Sequence, residues 1–274
     1  MKRLGLIGEH LGHSLSPQIH SLLLKYLGIE GSYELLEVAP NKLQDLVESL
    51  PGRYAGVNVT IPYKVAVMKF LAEIAPEALS IGAVNTISCR QGLLCGANTD
   101  YFGFGRMLEH NDIVLKGQRV TVLGTGGAAR AVLQYVQDAG ASELTIISRH
   151  PWEAAQSLEQ FAREAQVRFM DYHQIEQQAS GDVLVNATPI GMYPKVEAAP
   201  VTRAGVKNYR AVVDLIYNPA QTLLLRYAQE AGLKTCNGLY MLVAQAVAAE
   251  EIWLEQKLDN QIIATVAEEL ARTL

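Results

Sequence analysis

The sequence is short of cysteine, of positive charge and of long apolar runs, and each shortage excludes a class of protein. Cys89, Cys95 and Cys236 are the only cysteines in 274 residues. They are too sparse for a disulfide scaffold and too poorly spaced for a zinc site, and they fit a reducing, cytoplasmic setting. Lysine and arginine number 23 against 28 aspartates and glutamates, a formal net charge of −5. That balance lacks the basic footprint of a nucleic-acid binder. No apolar run reaches the ~18 residues that a membrane helix needs. A short strand-like stretch at the N-terminus passes directly into polar residues, unlike a signal peptide. His10, His13 and His20 have no carboxylate or thiolate ligands at suitable spacing, so no metal is expected.

What is present is a core-forming composition, 49% hydrophobic and 19% charged, in a chain long enough for about two domains. Strand and helix signals alternate. Residues 3–8, 33–38 and 54–60 read as strands. A helix over 16–27 has Ser16 as its N-cap and Pro17 in its first turn; a second helix spans 41–50, and a third starts at Pro62. Residues 84–89 and 92–95 suggest a hairpin. After a helical stretch at 101–108, strands are expected at 118–123, 143–147, 182–186 and 211–215, and helices at 240–256 and 260–273. Strands alternating with helices predict two α/β domains with largely parallel sheets covered on both faces.

The sharpest local signal is Gly124-Thr125-Gly126-Gly127-Ala128-Ala129, set between a strand and a helix. In the G-x-G-x-x-A order the first glycine permits a tight turn. The second lets a pyrophosphate approach the backbone, and the small third residue lets helix and strand pack closely. Amides at the helix start then face the phosphates. An NAD-binding chain usually carries an acid at the end of the next strand. Here that place reads Ser148-Arg149-His150, and an arginine fork suits a 2′-phosphate, which favours NADP.

Polar residues cluster where strands end. Ser14 and Ser16 stand two apart at a helix start. On the third strand Asn58 and Thr60 share one face while Val57 and Val59 share the other. Lys64, placed in the first turn after Pro62, puts a cation where the helix dipole disfavours one, and such broken local rules mark function. Asn85 and Asp100 lie in small-residue turns, with Asp100 at the junction of the two domains. Asn186 and Thr188 follow one strand of the second domain, and Leu215 and Tyr217 follow another. Such carboxyl ends are where open α/β sheets bind ligands. Gly238 precedes an apolar helix whose Gln245 must find polar partners.

Taken together, HSLSP, NVTIPYK, GAVNT, NTD, GTGGAARA, NATPIGM and NGLYMLVAQA, in this order from residue 13 to 246, resemble the shikimate dehydrogenase family. The resemblance implies reversible, NADP-dependent reduction of 3-dehydroshikimate to shikimate, a step toward the aromatic amino acids. It implies a Rossmann-type NADP-binding domain over 101–237. It also implies C-terminal helices folded back on the first domain, giving a substrate-binding and catalytic domain from 1–100 plus 238–274. By the same resemblance Ser14 and Ser16 hold the substrate carboxylate, and Asn58, Thr60, Asn85, Tyr217 and Gln245 complete the substrate site. Lys64 and Asp100 are the catalytic pair, either able to deliver the proton. Gly124 to Ala128 form the phosphate loop, with Ser148, Arg149, Asn186, Thr188, Leu215, Gly238 and Met241 also on the cofactor. The family includes monomers and homodimers. One departure weakens the NADP signal: Glu153 stands where many relatives have a second arginine on the 2′-phosphate, so NAD is also a candidate cofactor. An NAD-dependent quinate/shikimate dehydrogenase is the alternative enzyme, although two hydroxyls at Ser14 and Ser16 lean toward shikimate. A metabolite sensor without activity is the other alternative. It would be expected to have lost Lys64 or Asp100.

Overall fold

The computed structural model describes residues 1–12, 14–162, 167–178 and 181–273. It divides into two compact units, Met1–Gly103 with Leu242–Thr273, and Phe104–Met241.

The first unit is built on six strands: β1 (Lys2–Gly8), β2 (Gly31–Glu37), β3 (Gly56–Val59), β4 (Glu73–Ile74), β5 (Thr86–Arg90) and β6 (Leu93–Ala97), in the order β2-β1-β3-β5-β6-β4. Pairings β1/β2, β1/β3 and β4/β6 are parallel, whereas β3/β5 and β5/β6 are antiparallel. The sheet is therefore mixed. The hairpin legible at 84–95 enters the sheet beside β3 and reverses its direction there. β3 is flanked on both sides and buried throughout. Val57 and Val59 point into a core with Ile7, Val47, Leu50, Val84 and Ile87. The alternation that sends these valines inward turns Asn58 to the opposite face.

The C-terminal helices Leu239–Leu254 and Gln261–Ala271 complete this unit. Trp253 packs with Leu4, Leu24 and Ala249, and its indole N–H donates to the Ile87 carbonyl at 3.0 Å. This packing depends on Gly56, because a Cβ there would lie 2.0 Å from the indole nitrogen. Tyr26, closing the helix Ser16–Tyr26, donates to Glu269 at 2.7 Å on the last helix.

The second unit holds β7 (Arg119–Leu123), β8 (Glu143–Ile147), β9 (Val167–Met170), β10 (Val183–Asn186), β11 (Ala211–Asp214) and β12 (Lys234–Cys236). All pairings are parallel, in the order β12-β11-β10-β7-β8-β9. This is the doubly wound dinucleotide-binding order, and its direction reverses between β7 and β10. β4, β9 and β12 were absent from the expected strands. Two or three residues are too few to display alternation, and β9 is an edge strand whose exposure follows neither period.

Three contacts fix the loops at the carboxyl end of this sheet. Gly124 is left-handed, with φ of 99°, and a Cβ there would press on Thr188 and on the Ala187 carbonyl. Gly238 lies so close to β11 that a Cβ would stand 1.9 Å from the Leu215 carbonyl oxygen. Between these glycines is Asp214, fully buried. Its carboxylate accepts from the Thr222 hydroxyl at 2.6 Å, the Asn186 amide at 2.9 Å and the Ile216 N–H at 3.1 Å. Asn186 in turn accepts from the Thr188 hydroxyl at 2.7 Å, so one carboxylate organises the loops after β10 and β11.

Burial raises the Asp214 carboxyl to about 6, with the three hydrogen bonds opposing the rise. An unfolded aspartate titrates near ~4. The folded state thus holds this proton more tightly. The stability it contributes is fully present below about pH 4 and is lost as pH rises through about 6, a swing on the order of 2–3 kcal/mol. Asp214→Asn should remove that swing. Plotted against pH, the urea midpoint of wild type minus that of the variant should fall between pH 4 and 7. A flat difference would refute the assignment. For the first unit, Gly56→Ala should cost about 1–3 kcal/mol in urea unfolding, because Trp253 must leave its rotamer or its bond to Ile87.

Candidate active site

The helix Thr99–His110 carries Asp100 in its first turn, where a carboxylate is favoured by the unpaired amides of the helix start. Its Oδ2 lies 2.6 Å from Lys64 Nζ. The two side chains are only 14% and 10% exposed. The other oxygen, Oδ1, accepts from the Asn85 amide at 2.9 Å. Asn85 is itself fixed, since its Oδ1 accepts from the Thr99 N–H at 2.7 Å and the Thr86 hydroxyl at 3.0 Å. Lysine, aspartate and asparagine, 36 residues apart in sequence at the extremes, thus form one buried hydrogen-bonded group.

Lys64 does not sit in an α-helical first turn. After β3 the chain makes a turn through a cis Ile61–Pro62 bond, and only a 3₁₀ helix, Ala66–Phe70, follows. The dipole conflict expected from the sequence is therefore absent. What holds the lysine is its backbone carbonyl accepting from Val84 N–H at 2.8 Å and its ammonium meeting Asp100. One ammonium N–H serves Asp100, leaving two for a ligand.

Ser16 is not the N-cap expected from sequence. The N-cap of the helix Ser16–Tyr26 is Leu15, with no side-chain cap, and it is Ser14 whose oxygen accepts from Ser16 N–H at 3.2 Å. A serine hydroxyl accepting from the amide two residues on closes a short turn, and Ser16, already the first residue of the helix, does not cap it. His13 lies outside the described residues. Asn58, 5% exposed, donates to the Thr86 hydroxyl at 3.1 Å and the Asn85 carbonyl at 3.4 Å, and accepts from Tyr33 at 2.8 Å. Thr60 closes β3 by donating its N–H to Ile7 at 2.9 Å. Gln245 is half-buried rather than buried, and its amide donates to Leu242 at 2.8 Å on its own helix. No described contact ties it to Lys64 or Asp100.

In the second unit the β7 and β10 ends bring the glycine loop beside Asn186 and Thr188, and the β11 end brings Leu215 beside Gly238. A Cβ on Gly126 would meet nothing within 4 Å, so backbone there is open to a ligand. Helix Gly127–Asp138 begins at the next residue with no side-chain cap, leaving its first amides available. Ala129 is fully buried, as the small third position requires. These features fit a dinucleotide pyrophosphate. At the end of β8 the Ser148 hydroxyl accepts from His150 N–H at 3.1 Å, and Arg149 is exposed with Tyr172 nearby. Tyr217 is half-buried, and burial pushes its phenol up. Met241, 7% exposed, packs into the core of its unit. Among the described residues, no group of three or more His, Cys, Asp or Glu is arranged to hold a metal. No helix of the described residues is long and apolar enough to cross a membrane.

Sequence reasoning missed Thr86 and Thr99, which connect Asn58, Asn85 and Asp100, and Tyr33. Their signal was present as polar residues beside predicted site residues, but neighbouring strands, not sequence, bring them into contact.

Residues 6–87 match the family described as shikimate dehydrogenase substrate binding domain, and residues 107–219 match shikimate / quinate 5-dehydrogenase. The chain is 46% identical over 263 residues to the shikimate dehydrogenase (NADP(+)) of Clostridium beijerinckii, covering 96% of this chain and 95% of that one. Its fold superposes with a TM-score of 0.94 on a chorismate mutase/shikimate 5-dehydrogenase fusion protein from Clostridium acetobutylicum, at 45% identity over 100% of this chain and 98% of the other. The enzyme from Thermus thermophilus in complex with NADP(H) and shikimate gives 0.86 at 35% identity, covering 98% and 99%. With the doubly wound second sheet, the open glycine loop and full-length likeness at this identity, the chain belongs to the shikimate dehydrogenase family.

Proposed function

We propose that this chain is an NADP-dependent shikimate dehydrogenase, reversibly reducing 3-dehydroshikimate to shikimate in aromatic amino-acid biosynthesis. The observation that carries this reading is the buried Lys64–Asp100 pair with Asn85 on its far oxygen, in a chain similar over its whole length to NADP-dependent shikimate dehydrogenases. Both members of the pair are retained, which favours an enzyme over a sensor. We assign it to the cytoplasm, as a monomer or homodimer.

The ring ketone of the substrate gains negative charge on oxygen as its carbon is reduced. The two free ammonium N–H groups of Lys64 stabilise that oxygen, and the lysine, or Asp100 through it, passes on the proton. Asp100 fixes the ammonium by its short bond, and Asn85 keeps the carboxylate from rotating. Ser14 and Ser16 bind the substrate carboxylate, with Asn58, Thr60, Asn85, Tyr217 and Gln245 completing the site. The groups holding NADP are the amides from Gly124 to Ala128, with Ser148, Asn186, Thr188, Leu215, Gly238 and Met241 around them. The chemistry the cofactor supplies when bound is a hydride for the ketone carbon. Arg149, exposed at the β8 end, meets the 2′-phosphate, while Glu153 adds an acid where a second cation would strengthen the preference.

Lys64→Ala should lower kcat for shikimate oxidation by roughly 10²- to 10⁴-fold with a smaller change in KM, because its contribution grows as charge develops. Ser14→Ala removes a bond to a carboxylate charged throughout the reaction, so KM should rise and kcat change less. Near-normal kcat in Lys64→Ala would make the lysine a clamp and leave the proton to Asp100. Steady-state assays on both variants, with cofactor absorbance followed, decide this.

Arg149→Ala should raise the NADP KM roughly ten- to hundredfold and leave that for NAD unchanged, as expected for one charge-assisted contact. Wild type assayed with shikimate and with quinate, each with NADP and NAD, tests the quinate alternative directly.

A further inference from the structure

One buried ionisable pair of the first unit has no part in the mechanism above. His20 and Glu250 are both fully buried, and His20 Nδ1 lies 2.7 Å from Glu250 Oε1. The other nitrogen of His20 and the other oxygen of Glu250 have no hydrogen-bond partner among the described residues. Glu250 interrupts a helix whose residues from Val243 to Ala249 are otherwise apolar save Gln245. Apolar residues of similar size usually serve stability as well as a buried ionisable pair, so stability alone does not account for it.

The pair meets two aromatic rings. His20 stacks on Tyr33 with centroids 4.1 Å apart and planes 5° from parallel, and Trp253 closes the other approach at 5.4 Å. Burial keeps the Tyr33 phenol protonated, so it is a donor. Its hydroxyl donates to Asn58 Oδ1 at 2.8 Å. The bond from Tyr33 decides which way the Asn58 amide faces. With Oδ1 committed to Tyr33, Nδ2 points to the Thr86 hydroxyl and the Asn85 carbonyl. Rotation of that amide would set acceptor against acceptor at Thr86, whose own hydroxyl proton is given to Asn85, and at the Asn85 carbonyl, and donor against donor at Tyr33.

We infer that Tyr33 is a positioning residue for shikimate binding: its hydroxyl aligns Asn58, and the stacked His20–Glu250 pair beneath it holds the ring in place. This rests on the proposed place of Asn58 in the substrate site. Tyr33→Phe keeps the stack and removes only the hydroxyl. Its shikimate KM should rise about three- to tenfold, the usual effect of one hydrogen bond, while kcat and the NADP KM stay within about twofold. Glu250→Leu should move the shikimate KM in the same direction. In the Tyr33→Phe background it should add little, because both changes act through one hydroxyl. An unchanged shikimate KM in Tyr33→Phe overturns the inference, as does an equal rise in the KM for NADP. So does full additivity in the double variant. If Glu250→Leu does not fold, Tyr33→Phe decides alone. Asn58→Ala, run alongside, separates the two readings. A raised KM there with an unchanged one in Tyr33→Phe rejects the inference only, and an unchanged KM in Asn58→Ala rejects its place in the substrate site itself.

Discussion

A lysine and an aspartate held 2.6 Å apart and almost out of water impose the main constraint on the first unit. Removing charges from water is costly unless every lone pair and proton finds a partner. Asp100 meets that demand with the Lys64 ammonium on one oxygen and the Asn85 amide on the other, at the start of a helix. Asn85 requires Thr86 and Thr99, and Thr86 requires Asn58. The hairpin β5–β6 runs antiparallel inside the sheet and delivers Asn85 and Thr86, at the start of β5, and Thr99 and Asp100, just past the end of β6, to the same end of the ladder. A purely parallel arrangement would send these residues to opposite ends.

The second unit buries an aspartate without a cation. Asp214 receives three neutral donors, and burial outweighs them, so its carboxyl is driven up to about 6. The contrast follows from task. Asp100 holds a charged lysine ready for a substrate. Asp214 holds the loops after β10 and β11 in register around the positions proposed to meet the cofactor, and a carboxyl that can take a proton serves as well as a charged one.

Glycines divide by what a side chain would strike. At Gly56 it would strike Trp253, and at Gly238 the Leu215 carbonyl. Those positions are reserved for close packing of the protein on itself. At Gly126 it would strike nothing, although the residue lies in the tight loop after β7. An open glycine in a crowded loop leaves room for something other than protein, which is the physical content of the G-x-G pattern. Gly238, assigned by resemblance to the cofactor site, thus has a packing reason of its own.

Much of this was legible in the order of residues. Alternating strand and helix signals determined two α/β units, and the glycine loop between a strand and a helix determined a dinucleotide fold, because these patterns depend on periods of a few residues and on glycine's backbone freedom. Lys64 and Asp100 were singled out from short motifs. Sequence misjudged how Lys64 is held, since a proline after a strand reads as a helix start and here opens a turn. It expected Ser16 to cap a helix whose N-cap position is Leu15, and it read the first sheet as largely parallel, as it is, without singling out β5, which runs against both its neighbours β3 and β6. Only tertiary structure joined Lys64 to Asp100 across 36 residues and set Glu250 against His20 across 230. The reason is physical: local propensity acts over a few residues, whereas the partner of a buried polar atom is chosen by whichever strand or helix the fold brings within 3 Å.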